Sequence, residues 1–259
     1  MKGKRPKRKV VLFLVEGQSE INALKPVISA LYDSIDPEIE VFFPTIIEND
    51  CDTRGDITSK YGISPNVIEK CIYKLFFATF FDVEKLFPKD VTEVIQIVDL
   101  DGAYIPDEQV IYGENPNHED KPFYSDDGIL TTDVDSIILR NKRKRENLDY
   151  LSSLKNLHVK SKCPKYSVFF FSSNLDHFLY GNANLSTREK TSKADEYAAR
   201  YELDPDGFVS AINTTPGALI GMNYEQSWQF IKEGNNSIKR YSNINILLEQ
   251  LLNEAETNT

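Results

Sequence analysis

The chain has few of the residues from which zinc sites and disulfide frameworks are built. It contains three cysteines and three histidines among 259 residues, and Cys51, Cys71 and Cys163 stand far apart in the sequence. Because there is no CxxC pair and no zinc-like spacing, the sequence argues against a structural zinc site, a disulfide scaffold and a His-based zinc enzyme. A GxxxxGK[ST] sequence is also missing, which argues against an ATP-binding P-loop.

Long apolar runs are missing as well. The aromatic-rich stretch 75–81 is far shorter than the roughly 20 apolar residues that cross a bilayer, and we interpret it as a buried helix face. The basic segment 1–9 leads into an apolar stretch that ends at Glu16, where a signal peptide would continue into small residues and a cleavage site. We therefore expect a cytoplasmic protein without a membrane segment, in which 1–9 is either a solvated tail or a phosphate contact.

The charge balance is acidic. Asp and Glu outnumber Lys and Arg by 40 to 30, which gives a formal net charge of −10. This argues against a protein that coats nucleic acid electrostatically, but it is consistent with a nuclease, because the carboxylates of a metal site add to the acidic count. The basic residues cluster at 141–145 (NKRKR), and this cluster is either a solvated helix face or a phosphate-contacting patch.

Strands and helices alternate along the first two thirds of the chain. Continuous apolar runs, typical of parallel strands that are covered on both faces, predict strands at 9–16, 38–47, 91–99 and 166–173. Apolar residues at helical spacing predict helices at 19–34, 64–86 and 135–154. This alternation predicts an α/β fold with a mostly parallel, Rossmann-like sheet flanked by helices.

The last third of the chain is predicted to be helical, with segments at 175–181, 187–201, 206–213, 224–232 and 243–256. We divide the chain into an α/β domain over 1–174, which carries an insertion at about 102–150, and a helical C-terminal part over 175–259 packed on the same core. The first part of the insertion, 102–134, is rich in Asp, Pro, Gly and Asn and is predicted to be a loop or a short hairpin.

Acidic residues follow two of the predicted strands. Glu16 ends the first apolar run and begins the sequence EGQSE, and Asp99 and Asp101 end the third run in the sequence DLDG. Because the carboxyl ends of parallel strands meet at one edge of a sheet, we expect these three carboxylates to gather there. Three converging carboxylates repel one another unless a cation lies between them, and an all-oxygen ligand set favours Mg²⁺ or Mn²⁺.

These two motifs together resemble the catalytic signature of Toprim domains, which occur in topoisomerases, primases, ribosomal-RNA maturases and OLD-type nucleases. The segments 169–179 (FFFSSNLDHFL) and 235–245 (NNSIKRYSNIN) are similar to elements of the RloB-like and AbiL-type proteins found at phage-defence and restriction loci. The resemblance implies a Toprim-like fold and a metal-dependent nuclease, a hydrolase of nucleic-acid phosphodiesters that uses Mg²⁺ or Mn²⁺ in bacterial anti-phage defence.

The resemblance also implies roles for acidic residues. Glu16, Asp99 and Asp101 would be catalytic, with Glu16 the general acid or base, and all three would contact metal. Glu20, one helical turn after Glu16, is either a ligand of a second metal or a residue that stabilises the start of the helix. Asp176 is either a further metal ligand or a helix cap, and it stands where the family has a glutamate.

Substrate contacts are expected from a second set of residues. The Gly17 position allows a tight turn and a close approach of backbone amides to a phosphate. The basic residues assigned to substrate binding, which could instead be solvated surface residues, are Lys142, Arg143, Lys239 and Arg240.

The expected partner is nucleic acid, DNA or RNA, and a separate ATPase is a further expected partner by analogy with defence systems. The alternative is a non-catalytic Toprim-like sensor or partner-binding subunit, and a phosphotransfer domain is a third interpretation that gives EGQSE no role. The nuclease interpretation predicts Glu16, Asp99 and Asp101 carboxylates within about 4–8 Å of one another beside basic side chains. The sensor interpretation predicts carboxylates that are apart or plugged.

Overall fold

The central sheet is parallel. The computed structural model describes residues 8–44, 56–116 and 121–258. The sheet has the strand order β2–β1–β3–β7, in which β1 is Lys9–Leu14, β2 is Ile39–Phe42, β3 is Val91–Asp99 and β7 is Lys165–Phe171. Each neighbouring pair is parallel. The predicted α/β fold with a mostly parallel sheet is therefore confirmed, and this arrangement is compatible with a Rossmann-like fold.

The apolar runs are continuous because the strands bury side chains on both faces of the sheet. In β1, Val11 and Phe13 belong to the core on one face, whereas Val10, Leu12 and Leu14 belong to the core on the other. Successive side chains of a strand point to opposite faces, so a strand covered on both sides needs an apolar residue at every position. The run therefore stops being apolar where the strand leaves the covered part of the sheet.

Helices cover both faces. One face packs against α1 (Gln18–Ile35), α5 (Leu175–Tyr180), α6 (Thr187–Tyr201), α7 (Pro205–Thr214) and α9 (Ile244–Asn258). The other face packs against α2 (Ile68–Ile72), a π-helical turn (Tyr73–Phe77), α3 (Ala78–Val83), α4 (Val134–Ser153) and α8 (Tyr224–Ile231). Helices of the last third thus contribute to the cores on both sides of the sheet. Among the described residues, none of the helices has both the length and the apolar character needed to cross a membrane.

Several predicted elements differ from the structure. The helix predicted at 64–86 begins at Ile68 and is interrupted by the π-helical turn Tyr73–Phe77, in which the backbone takes an extra residue per turn. The strand predicted at 38–47 ends at Phe42, and its last residues, 45–47, lie outside the described residues. Cys51 and the first seven residues of the predicted basic tail also lie outside them.

The insertion is more ordered than the predicted loop or short hairpin. It contains a three-stranded sheet with the order β4–β6–β5, formed by β4 (Val110–Tyr112), β5 (Phe123–Ser125) and β6 (Gly128–Thr131). Only β5 and β6 form the antiparallel pair expected of a hairpin, whereas β4 pairs with β6 in parallel. This small sheet has its own apolar core around Ile105, Val110, Ile129 and Ile238.

Candidate functional site

The acidic residues that follow β1 and β3 meet at the carboxyl edge of the central sheet. β1 and β3 are neighbours, and the backbone N–H of Asp99 donates a hydrogen bond to Oε1 of Glu16 over 3.1 Å. The Asp99 side chain accepts a further hydrogen bond from the backbone N–H of Leu175, 3.1 Å away at the start of α5. Parallel pairing of the two strands therefore brings the Glu16 and Asp99 motifs to the same place.

Asp101 is held by an unusual backbone conformation. Its φ of +50° lies in the left-handed region, and Gly102 follows with a φ of +67°. Aspartate tolerates this region better than most residues, but a non-glycine residue there still stores strain of about 1 kcal/mol or more. The backbone N–H of Asp101 donates to the Ser173 carbonyl, which follows β7, over 3.0 Å. The turn thus directs the chain back along the edge of the sheet after β3.

A second aspartate, Asp56, joins Glu16 and Asp101 in a half-buried acidic triad. One carboxylate oxygen from each residue lies within 4.8 Å of the other two. The Nζ atom of Lys144 lies between them, 2.7 Å from Oδ2 of Asp56, 2.7 Å from Oδ2 of Asp101 and 3.7 Å from Oε1 of Glu16. The Lys144 side chain has no solvent exposure. A buried ammonium therefore already supplies one positive charge to this triad.

The cations that α4 contributes to this edge are Lys144 and Arg140, one helical turn apart, rather than the predicted pair Lys142 and Arg143. Arg140 donates to the Asp101 backbone carbonyl over 2.9 Å. Lys142 is exposed, and Arg143 donates instead to the Ser59 carbonyl over 3.0 Å. Lys144 lies on the buried face of α4, whereas Lys142 lies on its exposed face. The predicted substrate contacts of Lys142 and Arg143 stay predictions.

The pKa values of Glu16 and Asp101 are shifted in opposite directions. Burial raises the pKa of Glu16 well above its usual range, and the nearby Asp56 carboxylate raises it further. Burial also acts to raise the pKa of Asp101, but the Lys144 ammonium and the Arg140 guanidinium outweigh it and hold that pKa below its usual range. Burial opposes the charged form of Lys144, yet the carboxylates around it raise its pKa well above the usual value. Lys144 is therefore charged, and Asp101 is its main counterion.

A second acidic group of the same composition lies beside the triad. It consists of Glu20 from the first turn of α1, Asp99, Asp176 from α5 and Lys190 from α6. The charges of other members of the group shift the pKa values of Glu20, Asp99 and Lys190. The Lys190 Nζ lies 2.9 Å from Oδ2 of Asp176, a carboxylate that is almost fully buried. Oδ1 of Asp176 is also buried and has no hydrogen-bond partner among the described residues. That unpartnered oxygen is available to a cation.

Burial is also the main cause of the raised pKa values of Asp99 and Glu20 in the second group. It raises the pKa of Asp99 well above the usual range, and the Glu20 and Asp101 carboxylates raise it further. Burial raises the pKa of Glu20, and hydrogen bonds from the backbone N–H groups of Glu20 and Gly17 lower it in part. The Glu20 carboxylate interacts with the start of α1, which is one of its two predicted roles, and it also faces the acidic group. Asp99 links the two groups, since it interacts with members of both.

The remaining predicted substrate contacts have structural partners. Gly17 is the N-cap of α1, where an added Cβ would meet Oε2 of Glu20 at 3.1 Å. Arg240, predicted to contact substrate, instead donates to the Phe178 carbonyl over 2.9 Å and to the Leu179 carbonyl over 3.3 Å, so it binds the last turn of α5. The backbone carbonyl of Lys239 accepts a hydrogen bond from the Ser172 hydroxyl. The segment that contains both residues thus ties the end of β7 to the helical C-terminal part.

A pocket of about 240 Å³ opens beside the two acidic groups. Its floor includes Asp99 and Asp101, and Lys190 lines it as well. The wall on one side comes from the insertion, including Tyr124, whose backbone N–H and carbonyl form two hydrogen bonds of 2.9 and 2.8 Å with the Asn184 side chain opposite. The insertion is therefore joined to the loop between α5 and α6 across this pocket, and it forms part of the site's wall.

The acidic groups fit divalent cations in donor type and charge. Ligand oxygens on opposite sides of Mg²⁺ are about 4.2 Å apart, so three oxygens within 4.8 Å of one another reach a single ion after small side-chain movements. Each group has three carboxylates and one ammonium, which leaves a formal charge of −2 when all are ionised. That residual charge equals the charge of one Mg²⁺ or Mn²⁺ ion. At the triad, the ion must share the carboxylates with Lys144 or displace its ammonium.

Three residues of the two groups were missed from the sequence, and two of them left a signal there. Lys144 lies four and seven residues before Leu148 and Leu151, so it shares their buried face on α4. Lys190 precedes Ala194, the buried residue of α6, by one helical turn. A lysine on an apolar helix face must find a counter-charge, which indicates an acidic site. Asp56 left no such signal, because it lies outside the described helices and strands and only the tertiary fold brings it to the edge.

Comparison with known proteins found no matching family model, no similar curated protein and no similar solved structure.

Proposed function

We propose that this chain is a Toprim-like nuclease that hydrolyses nucleic-acid phosphodiesters with Mg²⁺ or Mn²⁺, and that it belongs with the RloB-like and AbiL-type proteins of bacterial phage defence. The observation that carries this proposal is the meeting of Glu16 with Asp99 and Asp101 at the carboxyl edge of neighbouring parallel strands. Carboxylates at that position, beside a pocket lined by Lys190, are suited to a metal-assisted reaction of a phosphate ester.

The two acidic groups supply the carboxylates that would bind divalent metal ions. Glu16, Asp56 and Asp101, whose oxygens lie within 4.8 Å of one another, would hold one ion. Glu20, Asp99 and Asp176 are more widely spaced, so a second ion there would require their side chains to move together. When bound, divalent ions supply neutralisation of the charge on phosphate oxygens and make bound water more acidic.

The chain's own residues supply proton transfer and positioning. The Glu16 carboxyl, whose pKa is raised by burial, is suited to take up and return a proton during the reaction. The Lys190 ammonium, at the pocket beside Asp99, is placed to attract a phosphate oxygen. The pocket itself restricts the space beside the carboxylates to about 240 Å³, which suits one nucleotide unit rather than a whole duplex. Residues of the insertion would hold that unit against the edge of the sheet.

A second candidate function is favoured by one specific observation. Lys144 places an ammonium between Glu16, Asp56 and Asp101, which is the plugged arrangement expected of a non-catalytic sensor or partner-binding subunit. In that case Lys144 would be the permanent counterion of the triad, and the triad would not take up a divalent ion. The two functions thus make opposite predictions about metal binding at the same three carboxylates.

A cleavage assay on labelled single- and double-stranded DNA and RNA separates the two functions. It would be run with Mg²⁺, Mn²⁺ or chelator, using the wild-type protein and the isosteric variants Glu16→Gln and Asp99→Asn. The matched control is Glu108→Gln, which removes an exposed carboxylate outside both acidic groups.

We expect metal-dependent cutting that both site variants lose and the control retains. Binding of Mn²⁺ measured by calorimetry would accompany the assay. Neither cutting nor Mn²⁺ binding by the wild-type protein would contradict the nuclease proposal and support the sensor. Mn²⁺ binding that Glu16→Gln weakens, without cutting, would contradict a permanently plugged triad and direct the search to an activating partner such as an ATPase.

A further inference from the structure

A groove lies at the end of the central sheet opposite the acidic site. Its volume is about 540 Å³, and it is formed where β3 and β7 begin, at Val91 and Lys165. The acidic residues lie where these strands end. At about 3.3 Å per residue, the eight steps from Val91 to Asp99 separate the two ends of β3 by about 26 Å. The groove is therefore a separate surface, and none of its lining residues takes part in the acidic groups.

The groove carries positive charge on an acidic protein. Lys89, Lys162 and Lys165 all line it and are exposed to solvent. None of the described residues that line it is acidic. Lys165 has an acidic neighbour on the adjacent strand, Glu93, with which it is paired in register and whose buried carboxyl it helps to keep charged. Lys89 and Lys162 give the groove two further positive charges.

The sequence around the groove is also rich in positive charge. The segment 154–165 (LKNLHVKSKCPK) has four lysines, one histidine and no Asp or Glu, although the whole chain has a net charge of −10. A tight turn, closed by a pair of backbone hydrogen bonds between Val159 and Lys162, presents this segment at the surface. The positive charge is therefore concentrated on one loop, at one end of the sheet.

An exposed aromatic ring extends the groove. A neighbouring hollow of about 300 Å³ shares Lys89 and Lys162 with it and is bounded by Phe87. The Phe87 side chain is 51% exposed, and the Lys89 Nζ lies 5.5 Å from the centre of its ring. Lysines that bind phosphates beside an aromatic ring that stacks on a base are the combination by which proteins bind single-stranded nucleic acid.

We propose that this groove, which we call the basic groove, is a second nucleic-acid site, in which Lys89, Lys162 and Lys165 bind consecutive backbone phosphates and Phe87 stacks on a base. The proposal goes beyond hydrolysis at the acidic edge and does not depend on it, because the groove would bind a strand whether or not the edge cleaves it. In a nuclease, the basic groove would hold substrate about 26 Å from the site of cutting.

The test measures binding of fluorescein-labelled single-stranded DNA and RNA by anisotropy in the presence of chelator, over a series of NaCl concentrations. The groove variant is Lys89→Gln/Lys162→Gln/Lys165→Gln. The control, Lys25→Gln/Lys70→Gln/Lys74→Gln, changes the net charge equally at three exposed lysines on helices α1 and α2 and the π-helical turn. The chelator separates binding from any metal-dependent reaction.

We expect the groove variant to bind at least about tenfold more weakly at low salt than the control. Its plot of log affinity against log salt should be less steep by about 2, because each phosphate contact with a single strand contributes about 0.7 to the slope. A second variant, Phe87→Ser, should weaken binding about fivefold or more and leave the salt slope unchanged, since stacking on a base is not an ionic contact.

Three results would overturn the proposal. They are failure of the wild-type protein to bind either oligonucleotide, equal affinities of the groove and control variants, and preferential binding of a labelled poly-glutamate peptide that the oligonucleotides do not displace. Failure of the nuclease proposal gives a different pattern, because it would remove cutting and Mn²⁺ binding while the anisotropy difference between groove and control variants remained. Loss of folding is checked by the thermal unfolding of each variant.

Discussion

The Nζ atom of Lys144 lies 2.7 Å from a carboxylate oxygen of Asp101, and the lysine side chain is entirely buried. This ion pair lies at the carboxyl edge of the sheet, where the nuclease and sensor functions make opposite predictions. A buried ion pair is costly to break, because removal of one partner leaves the other charge without compensation in a poorly solvated place. Substitutions around Lys144 therefore report both on stability and on the availability of the triad to a divalent ion.

Replacement of Lys144 by methionine should make the protein depend on metal for stability. The metal-free variant is expected to lose about 3–5 kcal/mol of unfolding free energy, because Asp56 and Asp101 lose their counterion. If the ion and the ammonium compete, Mn²⁺ should bind about tenfold or more tightly to the variant and raise its melting temperature more than that of the wild type. Thermal unfolding with and without Mn²⁺ measures both effects. The control is Lys142→Met, two residues away on the exposed face of α4.

Replacement of Asp101 by asparagine should destabilise the metal-free protein. Asp101 has a lowered pKa, so its charge contributes stability that is present above the ordinary aspartate pKa of about 3.9 and lost as pH falls through the lower folded value. At neutral pH we expect a loss of about 3 kcal/mol, with the conformation at φ +50° preserved because asparagine also tolerates it. Urea denaturation at neutral pH measures this loss. An unchanged urea midpoint would mean that the ion pair between Lys144 and Asp101 does not contribute to stability.

Glu16 should make the stability of the metal-free protein fall as the pH rises, which is opposite to the effect of Asp101. Its folded pKa is raised, so its protonated form contributes stability that is fully present below the ordinary glutamate pKa of about 4.3 and lost as pH rises through the raised value. Each unit of pKa shift corresponds to about 1.4 kcal/mol. The Glu16→Gln variant should therefore lose less stability than the wild type as the pH rises above the ordinary glutamate pKa of about 4.3. Parallel pH profiles of the two proteins in chelator would contradict a raised Glu16 pKa.

Asp56 should prove to be a metal ligand although it follows no strand. One of its carboxylate oxygens lies within 4.8 Å of oxygens of Glu16 and Asp101, so Asp56→Asn removes one anionic donor from the triad. We expect Mn²⁺ affinity to fall about tenfold or more, measured by calorimetry. The exposed residue Asp127 provides the control variant Asp127→Asn, which should bind Mn²⁺ as the wild type does. Equal affinities of the two variants would restrict the metal site to the residues that follow the strands.

Much of the fold could be predicted from the sequence because its signals are local. The predicted strand 91–99 is β3, Val91–Asp99, and the predicted helix 187–201 is α6, Thr187–Tyr201. Both elements are marked by apolar periodicity and by their ends: β3 ends in charged residues, and a Ser186–Glu189 capping box begins α6. The rule that ligands gather at the carboxyl ends of parallel strands also predicted the meeting of the Glu16 and Asp99 motifs.

Only the tertiary structure decided which charges complete the site. Asp56 lies at the edge but outside the described helices and strands, so no helical or strand period gives the direction of its side chain. The NKRKR cluster contains four cations in succession, and the packing of α4 against the sheet turns Lys144 inward while Lys142 stays in solvent. The sequence by itself thus determined the elements and the edge at which acidic residues meet. Which lysine becomes the counterion at that edge depends on how α4 is rotated about its axis. That rotation is set by contacts between residues far apart in the chain.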